Sequence, residues 1–284
     1  MKLVNGFDLM EYAKEKGYVL PAFNTTNMEM TFAIVRGLNE AKLPGYVQIS
    51  SNNLRLSDPQ TIAYLVEKAQ RDQDTPIGLH LDHGKSFEDV KACVDAGFTS
   101  IMIDASQLPY DENIAAVRRA ADYCHFYGIP VEAELGAIGG KEDDIVNESN
   151  AKTNPDMVAD FVERTRCDTL AVAVGNVHGL VAKPHIDLPL LAKLAAVSPV
   201  PLVLHGGSGI PFETIREARK HNLIKINYGA DLRSALVTTF GQAYEKDHKE
   251  CNLIELSLSS VEHVAERAKF LVEVINGKTE KIAG

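Results

Sequence analysis

Short apolar runs rich in β-branched residues alternate along the chain with longer stretches in which apolar positions recur at helical spacing. The short runs are continuously apolar, which is typical of strands covered on both faces. They predict eight strands: Val19–Phe23, Tyr46–Ile49, Ile77–Leu81, Ser100–Ile103, Val131–Glu134, Leu170–Val174, Leu202–Leu204 and Ile224–Ile226. The stretches between them predict helices: Met28–Ala41, Pro59–Gln70, Phe87–Ala96, Asn113–Tyr127, Asp156–Arg166, Leu188–Ala195, Phe212–Lys220 and Asp231–Lys246.

Eight strands that alternate with helices predict an α/β fold in which the strands close into a parallel (β/α)8 TIM barrel. The alternative is an open, doubly wound sheet, but no Gly-x-Gly-x-x-Gly motif follows the first strand. One amphipathic stretch, Ser260–Ile275, remains after the eighth unit and predicts an appended C-terminal helix. No low-complexity linker divides the chain, so residues 1–284 are expected to form a single domain.

The composition of the chain mainly excludes other classes of protein. A chain that is 45% hydrophobic and 24% charged is globular rather than disordered. The net charge of −10 argues against a nucleic-acid partner, which requires a basic face. No signal-peptide pattern or long apolar segment is evident, so no membrane association is expected. The four cysteines are widely spaced and form no Cys-x-x-Cys pair, which favours a reduced, cytoplasmic location over a disulfide scaffold.

Polar residues follow or end almost every predicted strand. In a parallel barrel the carboxyl ends of all strands meet at one face, where barrel enzymes have their active sites. The sequence therefore predicts that one set of polar side chains converges there: Asn24, Ser50, Asp82, His83, Asp104, Glu132, Glu134, Asn176, His178, His205, Ser208 and Asn227.

Three histidines of this set, His83, His178 and His205, form a candidate metal site. Three imidazoles with an open fourth position suit zinc or a similar transition metal and leave room for a substrate. Taken singly, each histidine is more often a hydrogen-bonded polar residue than a ligand. Their common position at one face, each beside a glycine or an aspartate, favours the metal site.

The run His-Gly-Gly-Ser-Gly at 205–209 is a candidate anion cradle. Glycines let backbone N–H groups approach an anion, Ser208 adds a hydroxyl, and barrels often bind phosphate after strands seven and eight. A glycine-rich strand end can equally serve turn geometry alone.

Two acidic residues are candidates for proton transfer. Asp82 directly precedes His83 and is expected beside any metal-bound substrate. Glu142 lies in Gly-Gly-Lys-Glu-Asp-Asp, whose two glycines suggest a mobile lid that brings a base into the site on closure. The alternative for this segment is a solvated charged loop, which the charge pattern alone supports equally well.

From about Pro21 to Arg233 the chain resembles the class II, zinc-dependent fructose- and tagatose-bisphosphate aldolases. The resemblance is carried, in order, by PAFN, HLDHGKS, MIDAS, EAELGAIGGKEDD, GNVHG, LHGGSGI and KIN. It implies a lyase that reversibly cleaves a ketose phosphate or 1,6-bisphosphate to dihydroxyacetone phosphate and an aldehyde. The reaction would pass through a metal-stabilised enediolate. The resemblance further implies a small-molecule sugar-phosphate partner and a homodimer or homotetramer.

The resemblance also implies residue roles around the metal. His83, His178 and His205 match the zinc ligands. Asp82 matches the acid and base that exchanges a proton with the substrate's C4 oxygen, and Glu142 matches the glutamate that moves the proton on the triose enolate. Two further acidic positions match polar groups that form a second cation site or orient the histidines: Asp104 and Glu134.

The remaining matched positions face the substrate. Asn227 matches the asparagine that holds the dihydroxyacetone-phosphate portion. The phosphate cradle, near which family members also place a monovalent cation such as Na⁺ or K⁺, corresponds to Gly179, Gly206 and Ser208. Two further positions, Asn24 and Ser50, match substrate-facing residues.

Two departures from the family pattern concern the phosphates. Ala230 stands where a threonine usually contacts phosphate, and the stretch 251–256 has no arginine where many relatives carry Asp-Pro-Arg. We therefore expect weak discrimination between a 1,6-bisphosphate and a substrate without the distal phosphate.

Two alternative functions stay open on the residues alone. The first is a Schiff-base aldolase that uses Lys225 in strand eight, although it leaves the three histidines unexplained. The second is a non-catalytic sugar-phosphate-binding barrel. The complete set of Asp82, Glu142 and three histidines favours the enzyme.

Overall fold

Eight parallel strands close into a barrel in the computed structural model, which describes residues 3–142, 145–147, 151–180, 184–249 and 252–278. For residues 141–142 and 145–147 it describes the backbone only. The barrel strands are β1 Leu20–Asn24, β2 Gly45–Ser50, β3 Ile77–Gly84, β4 Ser100–Ile103, β5 Val131–Leu135, β8 Thr169–Val172, β10 Leu202–Leu204 and β11 Leu223–Tyr228. Their order around the barrel is β1-β11-β10-β8-β5-β4-β3-β2.

Helices surround this barrel, and the predicted (β/α)8 architecture is confirmed. Their bounds are α1 Gly6–Lys16, α2 Met28–Ala41, α3 Pro59–Gln70, α4 Phe87–Asp95, α5 Tyr110–Phe126, α6 Pro155–Thr165, α7 Leu188–Val197, α8 Phe212–Ala218, α9 Ala230–Lys246 and α10 Leu253–Ile275. A short 3₁₀ turn lies at Asn53–Arg55. Each described helix is too short or too polar to cross a lipid bilayer.

Two helices differ from the sequence prediction. Helix α1 is not among the predicted helices, although Asn5 caps it and Leu9, Met10 and Ala13 share its buried face. The appended helix α10 begins at Leu253 rather than at Ser260. Its first turns were missed because their apolar residues, Leu253, Ile254 and Leu258, are exposed and so break the amphipathic period.

Helix α10 is appended, as expected, and packs against α2 in the outer layer. The two helices approach closely at Gly37, where a Cβ atom would lie 2.6 Å from the carbonyl oxygen of Ala265. Close approach of this kind requires a residue without a side chain. The packing buries Val264, Ala268 and Val272, so α10 covers part of the barrel's helical layer.

A small second sheet, absent from the sequence prediction, lies beside the barrel. It consists of β6 Gly139–Glu142, β7 Ile145–Asn147 and β9 Val177–His178, in the order β7-β6-β9. The predicted lid loop thus contributes a strand, and its first half pairs in parallel with the strand that carries His178. Gly140 has a φ of +108°, and a Cβ there would meet the His178 carbonyl oxygen at 2.5 Å. The glycines of this segment therefore permit close pairing, and lid motion stays a prediction.

Candidate active site

The three predicted histidines meet at the carboxyl-terminal mouth of the barrel. Their imidazole centroids lie 4.7 Å (His83 to His205), 5.5 Å (His83 to His178) and 6.1 Å (His178 to His205) apart. One ring nitrogen from each lies within 4.8 Å of the others. The histidines come from β3, from the residue that follows β10, and from β9 of the small second sheet. The cluster therefore depends on both the barrel and the small sheet.

An irregularity in β3 lets two neighbouring residues face this cluster. In a regular strand Asp82 and His83 would point to opposite faces. Pairing between β3 and β4 shifts register between Leu81 and Gly84, and His83 has a left-handed φ of 47°. As a result, Asp82 Oδ1 lies 4.0 Å from His83 Nε2. A non-glycine residue in this conformation costs energy, and such strain is concentrated at functional sites.

Asp104, at the end of β4, fixes the orientation of His83. Its Oδ2 lies 2.6 Å from His83 Nδ1, and its Oδ1 accepts a hydrogen bond from the backbone N–H of Ser106. Burial alone would raise the pKa of Asp104, but the hydrogen bond and charge of His83 hold it well below its ordinary value. With Nδ1 donating to this carboxylate, the lone pair of His83 is on Nε2. Metal-binding histidines are typically held by such a carboxylate.

His205 is held in the same way by β5. Its Nε2 lies 2.8 Å from Glu132 Oε1, and its Nδ1 lies 3.4 Å from Glu134 Oε2. Burial lowers the pKa of His205, but interactions with Glu132 and Glu134 more than offset this and raise it to about 9. Glu132 and Glu134 are two residues apart in one strand, so they present both carboxylates to the same face.

The residues at this mouth fit a divalent metal ion. Imidazole nitrogens are among the ligands that zinc prefers, and the three rings leave a position open. His205 Nδ1 and Glu134 Oε2 are buried and face each other without a hydrogen bond between them. Two acceptor atoms in this arrangement are favourable only with a cation or a proton nearby. A second group of possible ligand atoms shares one histidine with the first: His83, Asp104 and Glu134.

Amide side chains hold both oxygens of the buried Asp82 carboxylate. Asn24 Nδ2 donates to Oδ2 at 2.7 Å, and Asn227 Nδ2 donates to Oδ1 at 3.0 Å. Gln48 Nε2 in turn donates to Asn24 Oδ1 at 2.8 Å. Three barrel strands thus fix one carboxylate beside the histidine cluster. The predicted substrate-facing residues Asn24 and Asn227 lie here, and they contact Asp82 directly.

Lys225 connects these two parts of the site. Its buried Nζ lies 3.0 Å from Glu132 Oε2 and donates to Asn227 Oδ1 at 2.8 Å. Burial would raise the pKa of Glu132, but the charge of Lys225 and the bond to His205 hold it below its ordinary value. Sequence reasoning noted Glu132 only as a strand-end acid and Lys225 only as a possible Schiff-base residue. In the structure both support the cluster from the barrel interior.

The predicted anion cradle forms a small recess that His178 also lines. Gly179, Gly206 and Ser208 surround it together with Asn227, and residues 229 and 230 close it at the start of α9. A helix amino terminus offers unpaired N–H groups to an anion. Ser208 Oγ accepts a hydrogen bond from the Asp231 backbone N–H at 3.1 Å, which ties the glycine-rich turn to α9. Arg233 also lines the recess and was not predicted.

A larger cavity of about 580 Å³ opens from the other part of the cluster. Ser50, Asp104 and Glu134 line it beside His83 and His178. The recess and the cavity thus meet at His178, and the histidine cluster lies where they join. The side chain of Glu142, the predicted loop base, lies outside the described part of the structure.

A closed (β/α)8 barrel with a three-histidine cluster, an adjacent buried aspartate and an anion recess at its mouth defines a class of protein: a metal-dependent barrel enzyme. The comparisons identify the family. A model of class-II fructose-bisphosphate aldolase matches residues 4–280. The chain is 38% identical over 251 residues to fructose-bisphosphate aldolase of Staphylococcus epidermidis, covering 87% of this chain and 88% of that protein. It is 39% identical over 235 residues to the Staphylococcus aureus enzyme, covering 81% and 82%.

A solved structure agrees with these matches. The YdjI aldolase of Escherichia coli K12 superposes with a TM-score of 0.84 at 31% identity, over 98% of this chain and 100% of that one. The chain therefore belongs to the class-II fructose-bisphosphate aldolase family. It is a metal-dependent aldolase, a carbon–carbon lyase, and the family implies a divalent metal, typically zinc, and a sugar-phosphate substrate. The Schiff-base and non-catalytic alternatives are not favoured.

Proposed function

We propose that the protein reversibly cleaves a ketose phosphate or 1,6-bisphosphate of the fructose or tagatose type to dihydroxyacetone phosphate and an aldehyde. One observation carries the proposal: three imidazole nitrogens lie within 4.8 Å of one another, with a buried carboxylate 4.0 Å from one of them. Retro-aldol cleavage breaks the C3–C4 bond beside a C2 ketone. It needs stabilisation of negative charge on the triose and a group that accepts the C4 hydroxyl proton.

In this proposal His83, His178 and His205 hold zinc. When bound, the ion supplies a Lewis acid for the charge that develops on the triose oxygens. Asp104 orients His83 and Glu132 orients His205, each by accepting a hydrogen bond at the ring nitrogen that does not face the metal. Glu134, with Asp104 and His83, forms the proposed second cation site.

Asp82 is the proposed acid and base for the C4 oxygen. Its carboxylate is held by two amide donors, which fix its orientation for accepting the hydroxyl proton. The proton returns to the aldehyde oxygen in the synthetic direction. Glu142 is proposed, from the family resemblance, to move the proton at the triose carbon. The two proton transfers are thereby assigned to different carboxylates.

The recess is the proposed site of the ketone-end phosphate. Gly179, Gly206 and Ser208 line it, and the amino terminus of α9 adds backbone donors that suit an anion. This backbone contribution matters because Ala230 lacks the usual threonine hydroxyl. We further propose that a monovalent cation, Na⁺ or K⁺, binds beside this phosphate. Asn227 holds the dihydroxyacetone-phosphate portion, and Asn24 and Ser50 face the substrate.

We also propose that the chain is a single domain that acts in the cytoplasm as a homodimer or homotetramer. One continuous buried core supports a single domain. Cys93, Cys124 and Cys167 are buried free thiols, as expected in a reducing compartment. Exposed apolar side chains on α9 and α10 support self-association, among them Val237 at 67% and Ile254 at 72% exposure.

A substrate panel tests the proposed reaction. Purified protein loaded with zinc should release dihydroxyacetone phosphate from at least one ketose phosphate, measured by a coupled dehydrogenase assay. Chelation should abolish the activity, and added zinc or cobalt should restore it. Full activity in excess chelator, together with borohydride trapping of substrate on Lys225, would instead establish Schiff-base chemistry. Tight binding of sugar phosphates without turnover in the zinc-loaded protein would establish a binding barrel.

A further inference from the structure

The large cavity continues beyond the histidine cluster to two cationic side chains that the proposed mechanism does not use. Lys85, in the loop after β3, and Arg119, on α5, line this cavity together with His83 and His178. A cavity of about 580 Å³ is within the range that binds small molecules. It therefore has room for the part of a substrate that extends past the cleaved bond.

Both side chains are held in place without a carboxylate. The central carbon of the Arg119 guanidinium lies 3.9 Å from the centre of the Phe87 ring, which is a cation–π contact and occupies none of its N–H donors. Lys85 Nζ donates to Asn52 Oδ1 at 2.9 Å. Across the described ranges neither side chain forms an ion pair. This contrasts with Arg118 on the same helix, whose Nε donates to both oxygens of Asp122 at 2.9 Å.

Other polar groups of the cavity point to the same kind of ligand. Ser106 Oγ is buried in its wall and has no hydrogen-bond partner within the described residues. The nearby carboxylate of Asp104 is already bonded to His83 and to the Ser106 backbone. In a protein with a net charge of −10, two cations that have no carboxylate partner among the described residues provide a local site for an anion at this cavity.

The direction of the substrate follows from the two compartments. The recess takes the ketone-end phosphate in the proposed function, and it meets the cavity at His178. A substrate whose phosphate lies in the recess and whose reacting carbons lie at the cluster extends its aldehyde half into the cavity. That half then lies in the cavity whose wall includes Lys85 and Arg119.

We propose that Arg119 and Lys85 form a specificity site for an anionic group, a phosphate or a carboxylate, at the end of the aldehyde half of the substrate. This rests on the proposed function for the substrate's orientation. The sequence-based expectation of weak discrimination stays a prediction, and a modest preference is compatible with it. Both cations are exposed, so solvent screens them, and we expect a preference of about tenfold rather than thousandfold.

The test compares three-carbon aldehydes in the synthetic direction, with dihydroxyacetone phosphate as the partner. Glyceraldehyde, glyceraldehyde 3-phosphate and tartronate semialdehyde differ in having a neutral, a phosphate or a carboxylate end. The wild type should show a kcat/KM at least about tenfold higher for one of the anionic aldehydes, and the better one identifies the anion. The preference should shrink as ionic strength rises, because the cations are exposed.

Variants assign the preference to the two side chains. Arg119→Met should remove most of the preference, Lys85→Met part of it, and Arg119→Lys should retain part because it keeps the charge. The neutral aldehyde should react at an unchanged rate in all three. Arg118→Met is the matched control on the same helix and should behave as the wild type. Equal treatment of all three aldehydes by the wild type, or an unchanged preference in Arg119→Met, would overturn the proposal.

Two further measurements separate this inference from the proposed function. The enzyme-catalysed exchange of the carbon-bound proton of dihydroxyacetone phosphate with solvent should be unchanged in Arg119→Met, because the ketone-end phosphate binds in the recess. A raised KM for dihydroxyacetone phosphate in this exchange would assign the cations to the ketone-end phosphate and refute the proposal. Calorimetric binding of glyceraldehyde 3-phosphate to the metal-free protein requires no turnover. If the wild type catalyses no reaction, the proposed function fails. Loss of this binding in Arg119→Met would still support the role of the cations, and unchanged binding would refute it.

Discussion

Replacing Lys225 by methionine tests whether the buried ion pair beneath the histidine cluster stabilises the barrel. The ammonium group is 3.0 Å from Glu132 Oε2, and both side chains are almost fully buried, at 4% and 2% exposure. Methionine fills similar space but leaves the Glu132 carboxylate with His205 as its remaining charged partner. Removing one member of a buried pair costs about 3–5 kcal/mol, because the other charge stays buried. That is a large share of the ~5–15 kcal/mol by which proteins are stable.

The assay is urea unfolding of the metal-free protein, with an unchanged m-value as the sign that only stability has changed. Lys269→Met is the matched control. Lys269 pairs with Glu40 at 3.7 Å, and both side chains are exposed, so its loss should cost at most about 1 kcal/mol. Adding Glu132→Gln to Lys225→Met should recover part of the loss, because the orphaned charge is then gone. A cost for Lys225→Met no greater than that of the control would refute the ion-pair argument.

The pH dependence of the same variant has a defined sign. The pKa of Glu132 is held below its ordinary value in the folded protein. A lowered carboxyl pKa contributes stability at neutral pH, and this contribution is lost as the pH falls through the folded-state value. The difference between wild type and Lys225→Met should therefore be full at neutral pH and shrink in strong acid. A difference that grew as the pH fell would contradict this assignment.

Three further outcomes are expected at the site. Replacing His83, His178 or His205 with alanine should remove or misplace zinc, measured by metal content, with little loss of fold stability; stoichiometric zinc and wild-type turnover in all three would disprove the assignment. Glu142→Ala should block hydrogen exchange of dihydroxyacetone phosphate, whereas Asp82→Ala should spare it and slow carbon–carbon cleavage by ~10²–10⁴-fold. The reverse pattern would exchange the two roles. Asp104→Asn should weaken zinc binding by 10–100-fold, because an amide replaces the carboxylate that holds the ligand histidine His83.

The sequence predicted the barrel and the place of the histidines because both depend on local patterns. Continuous apolar runs identify buried strands, and parallel topology then places every strand end at one mouth. The small sheet of β6, β7 and β9 is absent from the prediction because it lacks such a local pattern. Its strands are two to four residues long and contain Gly139 and Gly140, so they carry no apolar period.

The supporting contacts could not be predicted in this way, because they join side chains that are distant along the chain. His205 and Glu132 are 73 residues apart, and Asp82 and Asn227 are 145 apart. Each residue type was recognisable as unusual in a buried strand. Which carboxylate meets which histidine depends on strand order, stagger and side-chain orientation. The adjacent pair Asp82-His83 would even be expected to diverge, and only the left-handed φ of His83 brings both to the cluster.

The charges buried at the mouth give an independent physical reason for a cation there. Asp82, Glu132 and Glu134 are each at most 2% exposed. Within the described residues, the positive charges that face them are Lys225, which is committed to Glu132, and the imidazolium of His205, which lies between Glu132 and Glu134. Buried carboxylates are stable only when paired, and His205 must lose its proton before Nδ1 can bind a metal, so the metal-binding form of the site needs another positive charge. A divalent ion held by the three histidines would supply that charge at the centre of the cluster. Lys225 balances charge in the barrel interior, and the ion would balance it where the proposed substrate binds.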